Sequence, residues 1–244
     1  MPVPQVQEVS ASASSSAPVF PPVVRDDKSG AEIEVICENC YLIRQLLPMK
    51  EQVALFQYIE DLDQTPWDSL PKVMVPAPKT LMFGKNQPVL KFEPVGEPSA
   101  IRAMVDRASQ LVERNRLQLI GQDEDNARNI DFRKYKAFSM AAIRYKAPDG
   151  RFPPHVDHCD SSYVFLMSLG CTANFMVKGP DMDSKHNFKF RSGDLLVFDS
   201  STKAAILHGV TNIDDLDDSC PKALANAFPV LQNHRYGVQC RVNF

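Results

Sequence analysis

The strongest constraint on the fold lies after Asp131, where short apolar segments alternate with turn-forming residues to the end of the sequence. Phe138 to Tyr145, Tyr163 to Leu169, Asn174 to Val177, Asn187 to Phe190, Leu195 to Phe198, Ala204 to His208 and Tyr236 to Phe244 each read as a strand. Pro148-Asp149-Gly150, Lys178-Gly179-Pro180 and Ser192-Gly193-Asp194 supply turns between them. Many short strands punctuated in this way predict a double-sheet β core.

The front half reads differently. Ile33, Val35 and Cys37 alternate with other residues as in a strand, and Tyr41-Leu42-Ile43 suggests a second. Pro48 then opens a helical pattern with Val53, Leu55, Phe56 and Ile59, ending near Leu62. Pro66 to Pro98 is proline-dense and loop-rich, and Ser99 to Leu119 predicts a long helix. Its stripe is Ile101, Met104, Val105, Ala108, Leu111 and Val112. A helical front and a stranded back give an α+β class. The expected organisation is a disordered Ser/Ala/Pro-rich tail over 1–30, a helix-bearing lid and support region over 31–130, and a β core over 131–244.

A hydrophobic content of 44% with 23% charged residues fits a soluble chain able to bury one sizeable core. No apolar run approaches the length of a membrane-spanning helix, so no membrane partner is expected. The net charge of −3 argues against nucleic-acid binding through bulk charge, while leaving room for a local basic strip. Cys37-Glu38-Asn39-Cys40 is a lone CxxC with no second pair and no nearby His, insufficient for a zinc site. Sparse cysteines and the lack of a basic, then apolar, start fit an intracellular location, cytoplasmic or nuclear. Organellar targeting by the tail stays open, and the oligomeric state is unassigned.

His155-Val156-Asp157 carries the chemistry. Residues two apart on a strand share a face, so an imidazole and a carboxylate aim at one point. His208, after an apolar run, is the candidate third ligand. Two His and one carboxylate make the facial triad of non-haem iron(II) oxygenases, which leaves positions free for a co-substrate and O2. Taken singly, an HxD and a His are more often coincidental; their order gives the signal. Alternation over residues 235–244 adds to it. Arg235, Gly237, Gln239, Arg241 and Asn243 share one face, with Arg235 and Arg241 about 20 Å apart at the usual rise per residue. Paired guanidinium groups suit a dicarboxylate. A zinc hydrolase would use similar ligands but gives these arginines no role.

These residues resemble the AlkB-like family of Fe(II)/2-oxoglutarate-dependent dioxygenases. The resemblance covers about residues 135–244. It rests on Arg144-Tyr145, His155-Val156-Asp157, Gly193-Asp194-Leu195-Leu196-Val197, His208-Gly209-Val210, and Arg235 and Arg241 on the final strand. It implies a double-stranded β-helix (jelly-roll) core with His155, Asp157 and His208 as metal ligands. It further implies that Arg235, helped by Tyr145, binds the far carboxylate of 2-oxoglutarate, and that Arg241 lies near its metal-bound end. The implied reaction is C–H hydroxylation with Fe(II), 2-oxoglutarate and O2; on an N-methyl group it ends in demethylation. Ile143 and Gly237 stand where the family carries asparagines. Cys159 stands where base-repairing members carry an acid, and His158 is extra and expected to point away from the metal.

Three substrate readings follow. A single-stranded or flipped-base nucleic acid would use lid aromatics Trp67, Phe83 and Phe92 for stacking and Lys72, Lys79, Lys85 and Lys91 for phosphates. A protein or small-molecule substrate suits the acidic balance and Cys159. A degenerate-site binding module is disfavoured by the intact triad. The acidic stretch Asp214, Asp215, Asp217 and Asp218 reads as a solvated insertion.

Overall fold

A computed structural model describes residues 23–64, 89–92, 100–120, 131–135 and 137–244. The first elements are β1 (Val23–Arg25), β2 (Glu32–Cys37), β3 (Cys40–Ile43), α1 (Met49–Gln64) and β4 (Val89–Phe92). Next come α2 (Ala100–Arg114), α3 (Arg116–Ile120), β5 (Ala137–Lys146), β6 (Phe152–His155), β7 (Ser162–Gly170) and β8 (Ala173–Lys178). The chain continues through β9 (His186–Phe190), β10 (Leu195–Asp199), β11 (Leu207–Ile213), α4 (Lys222–Ala227), a 3-10 turn at Pro229–Gln232, and β12 (His234–Asn243).

Among the described residues, eight strands form the major sheet in the order β1-β2-β3-β10-β7-β12-β5-β4, and four form the minor sheet, β6-β11-β8-β9. The pairings are antiparallel. This is the jelly-roll core expected from the sequence, with helices beside it. The front-half strands β2 and β3 belong to the major sheet, so that region supplies sheet as well as helices.

Alternation decides which face each side chain takes. On β12, Tyr236, Val238, Cys240 and Val242 are buried on one face. Phe56 of α1 packs against that face, its ring centroid 4.8 Å from those of Tyr236 and Phe228. Leu55, Phe56 and Ile59 of α1 are buried, as is the entire stripe expected on α2. Burying a side chain of this size stabilises by about 1.5–3 kcal/mol. The opposite face of the major sheet looks onto the minor sheet, where Phe198 of β10 meets the His208 ring at 4.5 Å.

Several elements depart from expectation. Val23–Arg25 pairs with β2 instead of continuing a disordered tail; residues 1–22 lie outside the described residues. Buried Val24 and Asp26 hold this segment. The Asp26 carboxylate accepts hydrogen bonds from Arg114, Asn115 and Ser29, and the Arg114 guanidinium chiefly holds its carboxyl well below the usual range. The long helix breaks at Asn115, whose side chain bonds back to the Leu111 carbonyl and to Asp26. The strand expected to end at His208 instead begins at Leu207. Residues 201–205 form a turn, closed by Ser201 Oγ accepting from the Ala204 amide and by Ala205 at φ 47°. Pro153 and Pro154 obscure β6 in the sequence; it is an edge strand, where a missing amide hydrogen costs little.

The Gly193-Asp194 turn ties the two halves of the chain together. Gly193 has φ +90°, and a β-carbon there would meet Gln52 Nε2 at 2.5 Å. Buried Asp194 accepts from the Gln45 amide at 3.0 Å and from Arg44 at 2.9 Å. Among the described residues no helix is long and apolar enough to cross a membrane.

Candidate metal and co-substrate site

The two sheets meet over His155, Asp157 and His208, whose ligand atoms all lie within 4.8 Å of one another. His155 closes β6 and is the register partner of His208 on β11, with ring centroids 4.3 Å apart. Each Nδ1 lies 3.0 Å from the backbone carbonyl two residues earlier, Pro153 O and Ile206 O. A proton on Nδ1 satisfies that carbonyl and leaves an Nε2 lone pair for a metal. Burial, then the neighbouring His155, pushes the His208 pKa down to about 4, which keeps the imidazole in its ligating neutral form.

Asp157 lies two residues past the end of β6 rather than on a regular strand. Its Oδ1 is 3.6 Å from His155 Nε2, while Oδ2 accepts from Arg241 Nη2 at 2.9 Å. One carboxylate oxygen is thereby held by Arg241 and the other faces the cluster. His158 is exposed, its Nδ1 3.5 Å from Thr202 Oγ1. The donor set is two neutral nitrogens and one carboxylate oxygen, which suits ferrous iron.

Arg235 lies towards the other end of β12 from Arg241 and is the largest fully buried side chain among the described residues. It is the register partner of Tyr145, whose ring lies 5.1 Å from the guanidinium carbon; the Phe190 ring lies 5.3 Å away. Nε donates to Ser168 Oγ at 3.1 Å, and buried Nη2 has no hydrogen-bond partner among the described residues. Burial pushes the Arg235 pKa down and the Tyr145 pKa up to about 12. A buried cation with an unpaired donor and, among the described residues, no facing carboxylate fits a ligand that brings its own carboxylate.

Between the two arginines the sheet's inward face is only partly covered. Ala141, Ile143, Leu166, Gln239 and Arg241 share that face by register and are all half-buried. These half-buried residues run along β12 and its neighbours from the buried Arg235 guanidinium to Arg241, which is bonded to Asp157 of the metal cluster. Sequence reasoning missed Ser168 and Phe190, the groups that hold the Arg235 head. A serine interrupting the apolar run Tyr163–Leu169 of β7 was the available signal for Ser168. Phe92 and Lys91 lie on β4, with side chains outside the described residues; Trp67, Phe83, Lys72, Lys79 and Lys85 lie wholly outside them.

The model of the 2OG-Fe(II) oxygenase superfamily matches residues 39–244. The chain belongs to this superfamily. Its members are dioxygenases that use Fe(II), 2-oxoglutarate and O2, and this oxygenase carries a donor set suited to the metal. No curated protein matches the chain significantly. Among solved structures, the oxygenase resembles OsALKBH1 with a TM-score of 0.59 at 17% identity, covering 86% of this chain and 99% of that one. It also resembles a Pseudomonas putida prolyl-4-hydroxylase with a TM-score of 0.50 at 16% identity, covering 84% and 92%. At such identities the likeness concerns the fold.

Proposed function

We propose that this oxygenase removes N-methyl groups from a methylated nucleic acid. His155, Asp157 and His208 hold Fe(II) in this reading. Arg235 and Tyr145 bind the far carboxylate of 2-oxoglutarate, and Arg241 acts at the metal end. Ferrous iron in the triad supplies O2 activation. Overall, 2-oxoglutarate, O2 and the N-methyl substrate become succinate, CO2 and an N-hydroxymethyl product. That product breaks its C–N bond to release formaldehyde and the free amine.

Buried Arg235, with an unpaired Nη2 at the far end of the cleft from the triad, carries the co-substrate assignment. The substrate assignment rests on the AlkB-like order of motifs, together with the half-buried floor at Ala141, Ile143, Leu166 and Gln239. That floor offers a ligand both apolar surface and an amide. Six free cysteines support a reducing compartment, cytoplasm or nucleus. One observation favours a second reading, hydroxylation of a protein or small molecule. Cys159 replaces an acid beside Asp157, and its pKa is lowered, chiefly through Ser162 and then Arg241.

The test loads the protein with Fe(II) anaerobically, then admits O2 with 2-oxoglutarate. Succinate and formaldehyde are measured against N-methylated and unmethylated single-stranded oligonucleotides, and against peptides. Methyl-dependent formaldehyde release supports the first reading; succinate stimulated by peptides alone replaces it with the second.

A further inference from the structure

Gly237 stands where the AlkB-like pattern has an asparagine, and the surroundings show what its missing side chain permits. A β-carbon at Gly237 would lie 2.8 Å from Arg235 Nη1, 3.4 Å from Nη2 and 3.5 Å from Cζ. The guanidinium therefore rests on its own strand, in the space that any side chain at 237 would fill. Gly237 is not among the positive-φ glycines and sits within regular β12. Its backbone tolerates an L side chain, so the glycine is needed for space.

The seat also has a direction. Residues 235, 237, 239 and 241 run along one face of β12 towards Arg241 and Asp157. A guanidinium over residue 237 is displaced from its own Cα towards the metal cluster by up to about 7 Å, two residues of strand rise. Ser168 at Nε and the Tyr145 and Phe190 rings hold it there, leaving Nη2 unpaired.

We propose that Gly237 is the specificity-determining residue of the keto-acid pocket. Its empty side-chain position seats the Arg235 guanidinium and thereby sets the length of dicarboxylic 2-oxo acid that spans anchor and metal. This rests on Arg235 as the anchor. A methyl at 237 forces the guanidinium back towards its own Cα, lengthening the span. In the Arg235→Lys variant the side chain follows the same path and ends near the present Cζ position, at an ordinary 3.5 Å from that methyl, and does not clash.

The test compares wild type, Gly237→Ala, Arg235→Lys and the double variant, each loaded with Mn(II) without O2. Thermal shifts are followed while titrating 2-oxoglutarate and 2-oxoadipate, which is one carbon longer. Gly237→Ala is expected to weaken 2-oxoglutarate at least tenfold, weaken 2-oxoadipate less, and leave Mn(II) affinity within twofold. Without keto acid, Gly237→Ala should lower Tm in the wild-type background but not in the Arg235→Lys background, where a compatible Gly→Ala change is neutral or stabilising. Failure of Gly237→Ala to fold while the double variant folds gives the same answer.

Unchanged 2-oxoglutarate affinity in Gly237→Ala overturns the proposal, as does an equal loss of Tm in both backgrounds or failure of both alanine variants to fold. An equal loss for both acids overturns the chain-length claim. Wild-type 2-oxoglutarate binding in Arg235→Met would instead remove the anchor reading beneath it, a distinguishable failure.

Discussion

Arg235→Met separates a binding cation from a structural one. Methionine keeps much of the apolar stem and removes the guanidinium. In the free protein that head group is fully buried and held by the Ser168 oxygen, by Tyr145 and by the Phe190 ring, with no carboxylate facing it among the described residues. Its desolvation is incompletely repaid, so the substitution should be neutral or stabilising when no keto acid is present. In the proposed reading, 2-oxoglutarate gives the guanidinium a charged partner. Removing one partner of a buried pair costs about 3–5 kcal/mol, weakening binding by about 10²- to 4,000-fold. In a thermal melt of the Mn(II)-loaded protein, 2-oxoglutarate at a hundred times its Kd adds about 2.7 kcal/mol, or about 5–10 °C for a domain of this size. The wild type should show that shift, and Arg235→Met at the same ligand concentration should show no more than about 1.5 °C, by the same relation. A Met variant that melts far below the free wild type yet keeps the full ligand shift would refute the reasoning.

His155→Ala, Asp157→Ala and His208→Ala should each abolish iron-dependent succinate release while leaving the fold intact by circular dichroism, because each removes one corner of the triad. Arg241→Gln should weaken Fe(II) binding by roughly 10- to 100-fold in a metal titration, since it frees the Asp157 oxygen held at 2.9 Å. Asp26→Asn should cost about 1–3 kcal/mol in urea unfolding at pH 7, through lost charged hydrogen bonds to Arg114. The folded-state pKa of Asp26 is depressed, so this contribution is present above the ordinary carboxylate range and shrinks as pH falls below about 4. An Asn penalty that persists unchanged at pH 2.5 would contradict it.

The β core was legible because alternation and turn chemistry agree along residues 137–244. The faces of β12 followed directly from period two. The β6 strand was hidden by adjacent prolines, which edge position alone makes tolerable. The start of β11 differs from the sequence pattern because Ala204, Ala205 and Ile206 look like strand, while a local turn closed by Ser201 occupies this stretch. Sheet order was not legible. The placement of β10 between β3 and β7 rests on contacts such as Arg44 to Asp194, 150 residues apart, which leave no local pattern. At the candidate site, spacing proposed His155, Asp157 and His208, which the fold brings together. It could not show that Arg241 bonds Asp157, or that Arg235 folds over Gly237, because both depend on side-chain paths across the cleft.

The division of labour between the sheets has a thermodynamic consequence. His155 and His208 belong to the minor sheet, while Arg235 and Arg241 belong to the major one. A keto acid reaching from Arg235 to a metal on the two histidines would be a removable cross-link between two layers. Metal and keto acid would then each raise the other's affinity by the same factor, because each draws together the surfaces the other needs. Amide hydrogens of β6 and β11 should exchange more slowly when both are bound than the sum of their separate effects allows. The reactive distance would accordingly be a property of the gap between the two layers.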